Sequence, residues 1–220
     1  LGRLIFDNLK KALGYTLAVH LPIAGLSLVP ALLGWPLVLF PAHIAMLEMI
    51  IDPVCSLVFE ADPARKDVLT TPPRSQKEPI LSRAMLLRSL GQGALLTLVG
   101  IFLLVWSRMK GYDDFTQRSM VFTSLVCGNL ILIVLQRSWG SKIRDVLMQR
   151  NLPFWLVMGG ALVVLACILY IPALGRLFHM RALSWSKMAF CLATLAATTL
   201  LLWGSQRLME RFAHPRKKPH

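Results

Sequence analysis

Six apolar blocks, each about as long as a bilayer-spanning helix, constrain this sequence more than any motif in it. A hydrocarbon core of ~30 Å needs ~20 mostly apolar helical residues. Blocks at about residues 12–34, 37–59, 84–106, 119–135, 152–174 and 185–203 meet that length. In lipid every backbone N–H and C=O has to be satisfied within the chain, so such blocks are read as helices. The expected fold is an all-α membrane protein, a six-helix transmembrane bundle forming a single domain over residues 1–220. Only 16% of residues are charged against 55% hydrophobic, whereas a soluble domain keeps about 25% charged. A soluble globular fold is a poor reading of this composition.

The net charge of +13 raises nucleic acid as a partner. The basic residues, however, are gathered in short segments between apolar blocks, and no stretch interleaves base-stacking aromatics with them. No nucleic acid is expected; the partner is the lipid bilayer. With the amino terminus inside, eighteen of the 24 Lys and Arg fall on the inner side and six on the outer. That asymmetry predicts cytoplasmic termini, a long proline-rich cytoplasmic loop over 60–83 and a basic cytoplasmic tail over 204–220. Cys55, Cys127, Cys167 and Cys191 all lie in apolar blocks without a CxxC pair, so they read as small hydrophobes. The chain opens at Leu1 on a basic, polar segment, which predicts no signal peptide and a piece of something longer.

Ionisable residues at mid-membrane cost at least ~2.5–3.5 kcal/mol each and usually mark an ion or proton path. The second block carries Glu48 and Asp52 at i, i+4, on one helical face a turn apart. Like charges there repel unless a cation or a shared proton lies between them; the alternative is two protonated acids bonded to neighbouring helices. Both are expected to face inward. Pro53 lacks an N–H and leaves the Met49 carbonyl free in the same turn, and broken helices beside carboxylates are how transporters build midplane cation sites. In the first block Pro22 similarly frees the Ala18 carbonyl near His20. His20 could ligate a cation when neutral, carry a proton, or simply bond between helices. His43 reads as interfacial. Asn129 could lend its amide oxygen to a hard cation. Gly128, Gly91 with Gly93, and the Gly159–Gly160 pair read as packing residues.

Several segments resemble the membrane half of P-type cation-transporting ATPases of the calcium-pump type. Gly2-Arg3-Leu4-Ile5-Phe6-Asp7-Asn8-Leu9-Lys10-Lys11 is similar to the entry into their fifth membrane helix. The block from Pro41 to Pro53 resembles their sixth helix. Phe59-Glu60 and Thr71-Pro72-Pro73-Arg74-Ser75 resemble the cytoplasmic loop after it, with its Pro-Pro-Arg motif. Val121-Phe122-Thr123-Ser124-Leu125-Val126 resembles the start of the eighth helix.

This resemblance implies helices five to ten of such a pump. Asp52 matches a sixth-helix aspartate ligand, and Glu48 falls where calcium pumps place a ligating asparagine. Asn129 falls where the eighth helix offers an acidic or amide ligand. Ile51 stands in place of a threonine, and His20 and Ile23 replace an asparagine and a glutamate. The implied cation site is therefore Glu48 and Asp52 as metal ligands, with Asn129 and His20, beside helix unwinding at Pro22 and Pro53. Pro72, Pro73 and Arg74 are implied as the coupling loop. The implied cargo is calcium or another divalent cation. ATP and magnesium would act only in cytoplasmic domains outside this chain, which has no DKTG phosphorylation sequence. The implied partner is the rest of the same polypeptide, its first four helices and cytoplasmic domains, and the implied location a bacterial plasma membrane. An independent six-helix channel or ion-coupled secondary transporter is the alternative, and an inverted repeat would favour it. A membrane module that only anchors a partner is a third, which mid-membrane Glu48 and Asp52 argue against.

Overall fold

The computed structural model describes residues 2–62, 80–138 and 143–213, without the side chains of Arg3 and of 205–213. The helices are α1 (Gly2–Leu32), α2 (Pro41–Pro53) with a π-helical turn at Val54–Val58, α3 (Arg83–Met109), α4 (Asp114–Arg137), α5 (Ile143–Met148), α6 (Leu152–Tyr170), α7 (Pro172–Leu177) and α8 (Trp185–Ala213). Six of these helical segments are long and apolar enough to cross a membrane, and no strand occurs among the described residues. The all-α, six-helix fold is the one the apolar blocks predict. Pro72, Pro73, Arg74 and most of the 60–83 loop lie outside the described residues, as does the tail from His214.

The helix ends follow local chemistry that hydropathy does not register. α1 stops at Gly34, whose φ of +65° suits glycine. Trp35 N then bonds Pro30 O at 2.8 Å and Gly34 N bonds Ala31 O at 3.3 Å, a Schellman closure. The second span starts later than its apolar block, at Pro41, because Phe40 is extended and its N–H donates to His43 Nδ1 at 2.9 Å. The fifth ends earlier, at Tyr170. Pro172 holds Ile171 in an extended conformation and starts the short α7. α4 is longer than its apolar block at both ends. Arg118 and Arg137, which read as loop charges, lie within it and are buried. Arg88, inside the third apolar block, is buried in α3.

α4 is the central pillar. It packs against α1, α3, α6 and α8 and is buried over most of its length, whereas the other five spans each leave a broad face open. Removal from lipid explains how α4 carries Ser119, Thr123, Ser124, Asn129 and Gln136 inside an apolar segment. α1 and α3 form the closest helix pair, through small residues. A Cβ added at Gly93 would stand 2.6 Å from Ala18 O, and one at Gly100 would stand 2.8 Å from Leu26. Gly128 meets Leu96 in the same way. Gly91, Gly159 and Gly160 have nothing within 4 Å of such a Cβ. Within this chain those three are not packing residues.

At the end of the bundle where α1 finishes, Arg118 gathers the connections. Its Nη1 donates to His179 O at 2.6 Å and its Nη2 to Leu37 O at 3.0 Å, with the guanidinium 4.6 Å from the Phe40 ring centre. His43 is fully buried there, with Phe122 and Phe178 at ring separations of 4.8 and 5.6 Å. The α2 cap turns the ring inward, onto the aromatic side chains at this end of the bundle.

Candidate cation site and its relatives

The site is built where α1 and α2 face each other across the open side of the bundle. His20 Nδ1 lies 2.8 Å from Thr16 O. A carbonyl can only accept, so Nδ1 carries a proton and donates. Nε2 is then directed outward, and it stands 3.6 Å from Glu48 Oε1. That separation is too long for a good direct hydrogen bond. A neutral Nε2 lone pair and a carboxylate oxygen repel unless a proton or a cation lies between them. Asp52 follows one helical turn on, exposed on the same side.

These side chains do not face inward within the chain, as α2's spacing suggested they would. His20 and Glu48 retain side-chain exposures of 48% and 38%. The buried face of α2 is instead His43, Met46, Leu47, Ile50 and Ile51. The apolar face won the contact with α6, and the acids took the opposite one. They form an open half-site. Among the described residues no three His, Cys, Asp or Glu side chains converge on one point.

Asn129 is fully buried on α4, and neither of its amide atoms has a hydrogen-bond partner. The structure therefore brings Glu48 and His20 together and sets Asp52 beside them, but joins Asn129 to neither carboxylate by a hydrogen bond. A buried unpaired amide costs about 1–3 kcal/mol.

The two prolines act differently. α1 runs unbroken through Pro22. The Ala18 carbonyl, four residues before Pro22, is covered by the backbone of Gly93 rather than opened to a ligand. At Pro53 the helix changes character. Val54 N is shared between Ile50 O and Ile51 O, and Phe59 N closes a wide turn onto Val54 O at 3.1 Å. Ser56 Oγ donates to Asp52 O at 2.7 Å. Such π turns insert one residue into a helix and often accompany functional sites.

Sequence reasoning missed a cluster below this turn. Asp62, 3% exposed, accepts from Lys11 Nζ at 2.9 Å and from Arg137 Nε at 2.7 Å. Asn151 Nδ2 donates to Asp62 Oδ1 at 3.1 Å and to Val58 O at 3.0 Å, while its Oδ1 caps α6 by accepting from Phe154 N at 2.9 Å. Asn8 Nδ2 donates to Asp62 O at 3.3 Å. The one available signal was Asn151 ahead of Leu152-Pro153, a helix-start pattern.

Six helices long and apolar enough to cross a membrane define an integral membrane protein. Residues 36–208 match the family described as "Cation transporting ATPase, C-terminus", and the chain belongs to that family. It is 27% identical over 213 residues to the human protein named calcium-transporting ATPase type 2C member 2, covering 96% of this chain and 22% of that protein. It is 27% identical over 206 residues to the calcium-transporting ATPase of Bacillus subtilis (strain 168), covering 93% and 23%. The bovine calcium-transporting ATPase type 2C member 1 is 23% identical over 202 residues, covering 91% and 21%. The chain thus spans about a fifth of the length of these relatives.

Proposed function

We propose that this chain is the cation-binding and cation-passing membrane half of an ATP-driven P-type pump, with calcium or a similar divalent cation as cargo. The observation that carries the reading is the His20–Glu48 pair. Its two acceptor atoms lie 3.6 Å apart with the other histidine nitrogen committed to Thr16 O, in a chain of the cation-transporting family. Glu48 and Asp52 supply hard oxygen ligands that suit calcium, and the His20 nitrogen extends the range toward manganese or a proton. The half-site faces away from the six helices, which fits a site completed by further helices of the same polypeptide. ATP and magnesium belong to cytoplasmic domains of that polypeptide. Family membership favours the pump over an independent channel or secondary transporter.

The basic asymmetry supports cytoplasmic termini, in a bacterial plasma membrane by the reading above. Residues 72–74 would then touch the phosphorylation domain.

The test is phosphorylation from ATP in the complete polypeptide, measured across calcium, manganese, magnesium and pH. Asp52→Asn should abolish cation-dependent phosphorylation while the protein stays inserted and no less stable, since carboxylate repulsion is relieved. Wild-type phosphorylation in Asp52→Asn overturns the reading.

A further inference from the structure

The positions of the cation ligands pose a mechanical problem. His20 is on α1 and Glu48 and Asp52 are on α2, yet α1 meets this part of the chain through the π turn rather than along α2 itself. The gap between Nε2 and Oε1 is spanned by few backbone contacts of α1 with α2 itself. It is set where α1 is fastened to what flanks the acids: beside them, where Thr16 Oγ1 lies 3.4 Å from Cys55 Sγ in the π turn, and at the helix ends. The far ends are joined by the Gly34 turn and Arg118. The near end is the cluster at Asp62.

That cluster is built to hold position. One buried carboxylate takes a charge-assisted hydrogen bond from each of two cations, Lys11 on α1 and Arg137 on α4. Such bonds are roughly twice as strong as neutral ones and fix direction. Asn151 ties the same carboxylate to the first turn of α6, and ties both to Val58 O, the last residue of the π turn. The Arg137 guanidinium is itself held 4.4 Å from the Phe154 ring centre. Four elements thus close on the stretch ten residues beyond Asp52.

We propose that Asp62, held by Lys11, Arg137 and Asn151, is a positioning residue for the cation site. It pins the end of the π turn to α1, α4 and α6, and so sets the distance and rotation at which Glu48 and Asp52 face His20. A π turn adds a residue between two fixed points and rotates what precedes it. If its lower end slips, the carboxylates turn away from His20 although neither ligand has changed. The inference rests on the cation-site reading above and assigns the residues that give that site its geometry.

The experiment measures cation-dependent phosphorylation from ATP in the complete polypeptide, as the half-saturating calcium concentration and the maximal level, with melting temperature on the same samples. Asn151→Ser keeps a helix-capping oxygen but loses the donor to Asp62 and Val58. It should raise the half-saturating concentration about 10-fold, as losing a group that orients metal ligands typically does, with maximal level and melting temperature near wild type. Asp62→Asn should shift it at least as far. Should Asp62→Asn not insert, Asn151→Ser decides alone. An unchanged half-saturating concentration in Asn151→Ser, whether or not the maximal level falls, assigns the cluster to stability only and overturns the proposal. That result beside an inactive Asp52→Asn overturns this inference alone. Wild-type behaviour of Asp52→Asn removes the cation-site reading and this inference with it.

Discussion

Arg118 and Arg137 stand at opposite ends of α4, about 28 Å apart along its axis at 1.5 Å per residue, and both are buried. The spacing is close to the ~30 Å thickness of a hydrocarbon core. Each guanidinium is spent on chain segments that α4 does not contain: Arg118 on Leu37 and His179, Arg137 on Asp62. The pillar is therefore bolted at both ends, and the other spans are arranged around it.

Replacing Arg118 by Lys tests the bolt at the Leu37 end. Lysine keeps the charge but lacks the planar fork that reaches two carbonyls at once. One of Leu37 O and His179 O should lose its partner, costing about 1–3 kcal/mol. Melting temperature of the purified protein in detergent checks this.

Two glycines two residues apart on α3 should behave oppositely. At Gly93 an added Cβ meets the Ala18 backbone at 2.6 Å, and at Gly91 it meets nothing. Gly93→Ala has to push α1 and α3 apart and should cost about 1–3 kcal/mol. Gly91→Ala should be neutral, or stabilising by up to about 1 kcal/mol through helix propensity. Thermal unfolding of the pair separates close packing from simple helix preference.

The contrast shows what the sequence could and could not convey. The six spans were legible because lipid imposes length and apolarity on every one. Their ends were less so: a π turn, a Schellman closure and a cap depend on single backbone hydrogen bonds that leave hydropathy untouched. Glu48, Asp52 and His20 stood out as costly residues in apolar blocks, and the structure sets His20 against Glu48. Their outward direction was hidden, because i, i+4 spacing fixes a shared face without saying which neighbour covers it. The link between Asp62 and Asn151 was hidden for the opposite reason. Polar residues in polar segments look solvated until the fold brings Lys11 and Arg137 to them.

Asp113, just ahead of α4, gives a pH dependence. Burial alone would raise its carboxyl, but the Thr116 hydroxyl and the Arg181 charge, 3.7 Å away, outweigh that and hold it below its ordinary value of 3.8. A depressed folded value stabilises the fold above the unfolded value, and the contribution is lost as pH falls through the folded one. Both side chains are substantially exposed, so the pair contributes at most roughly 0.2–1 kcal/mol and weakens with salt. The melting temperature of the wild type should therefore drop slightly more than that of Asp113→Asn as pH is lowered below 3.8, and the difference should shrink in high salt.

The decisive relationship is between His20 and Glu48, and a double-mutant cycle reads it. If one cation lies between Nε2 and Oε1, removing either ligand should weaken calcium activation of phosphorylation in the complete polypeptide by about 10-fold or more. Removing the second should then add little, because the shared interaction is already gone. His20→Ala, Glu48→Gln and the double variant should therefore have similar half-saturating concentrations. Two independent ligands would instead give effects that multiply. A binding measurement on the same proteins removes the ambiguity of turnover. Calcium that binds the folded state raises its melting temperature by mass action, about 2.7 kcal/mol at a hundredfold excess over Kd. That rise should be present in the wild type and lost together in both single variants. Multiplicative effects, or a calcium-induced rise that survives Glu48→Gln, would show that the 3.6 Å gap holds no shared ion.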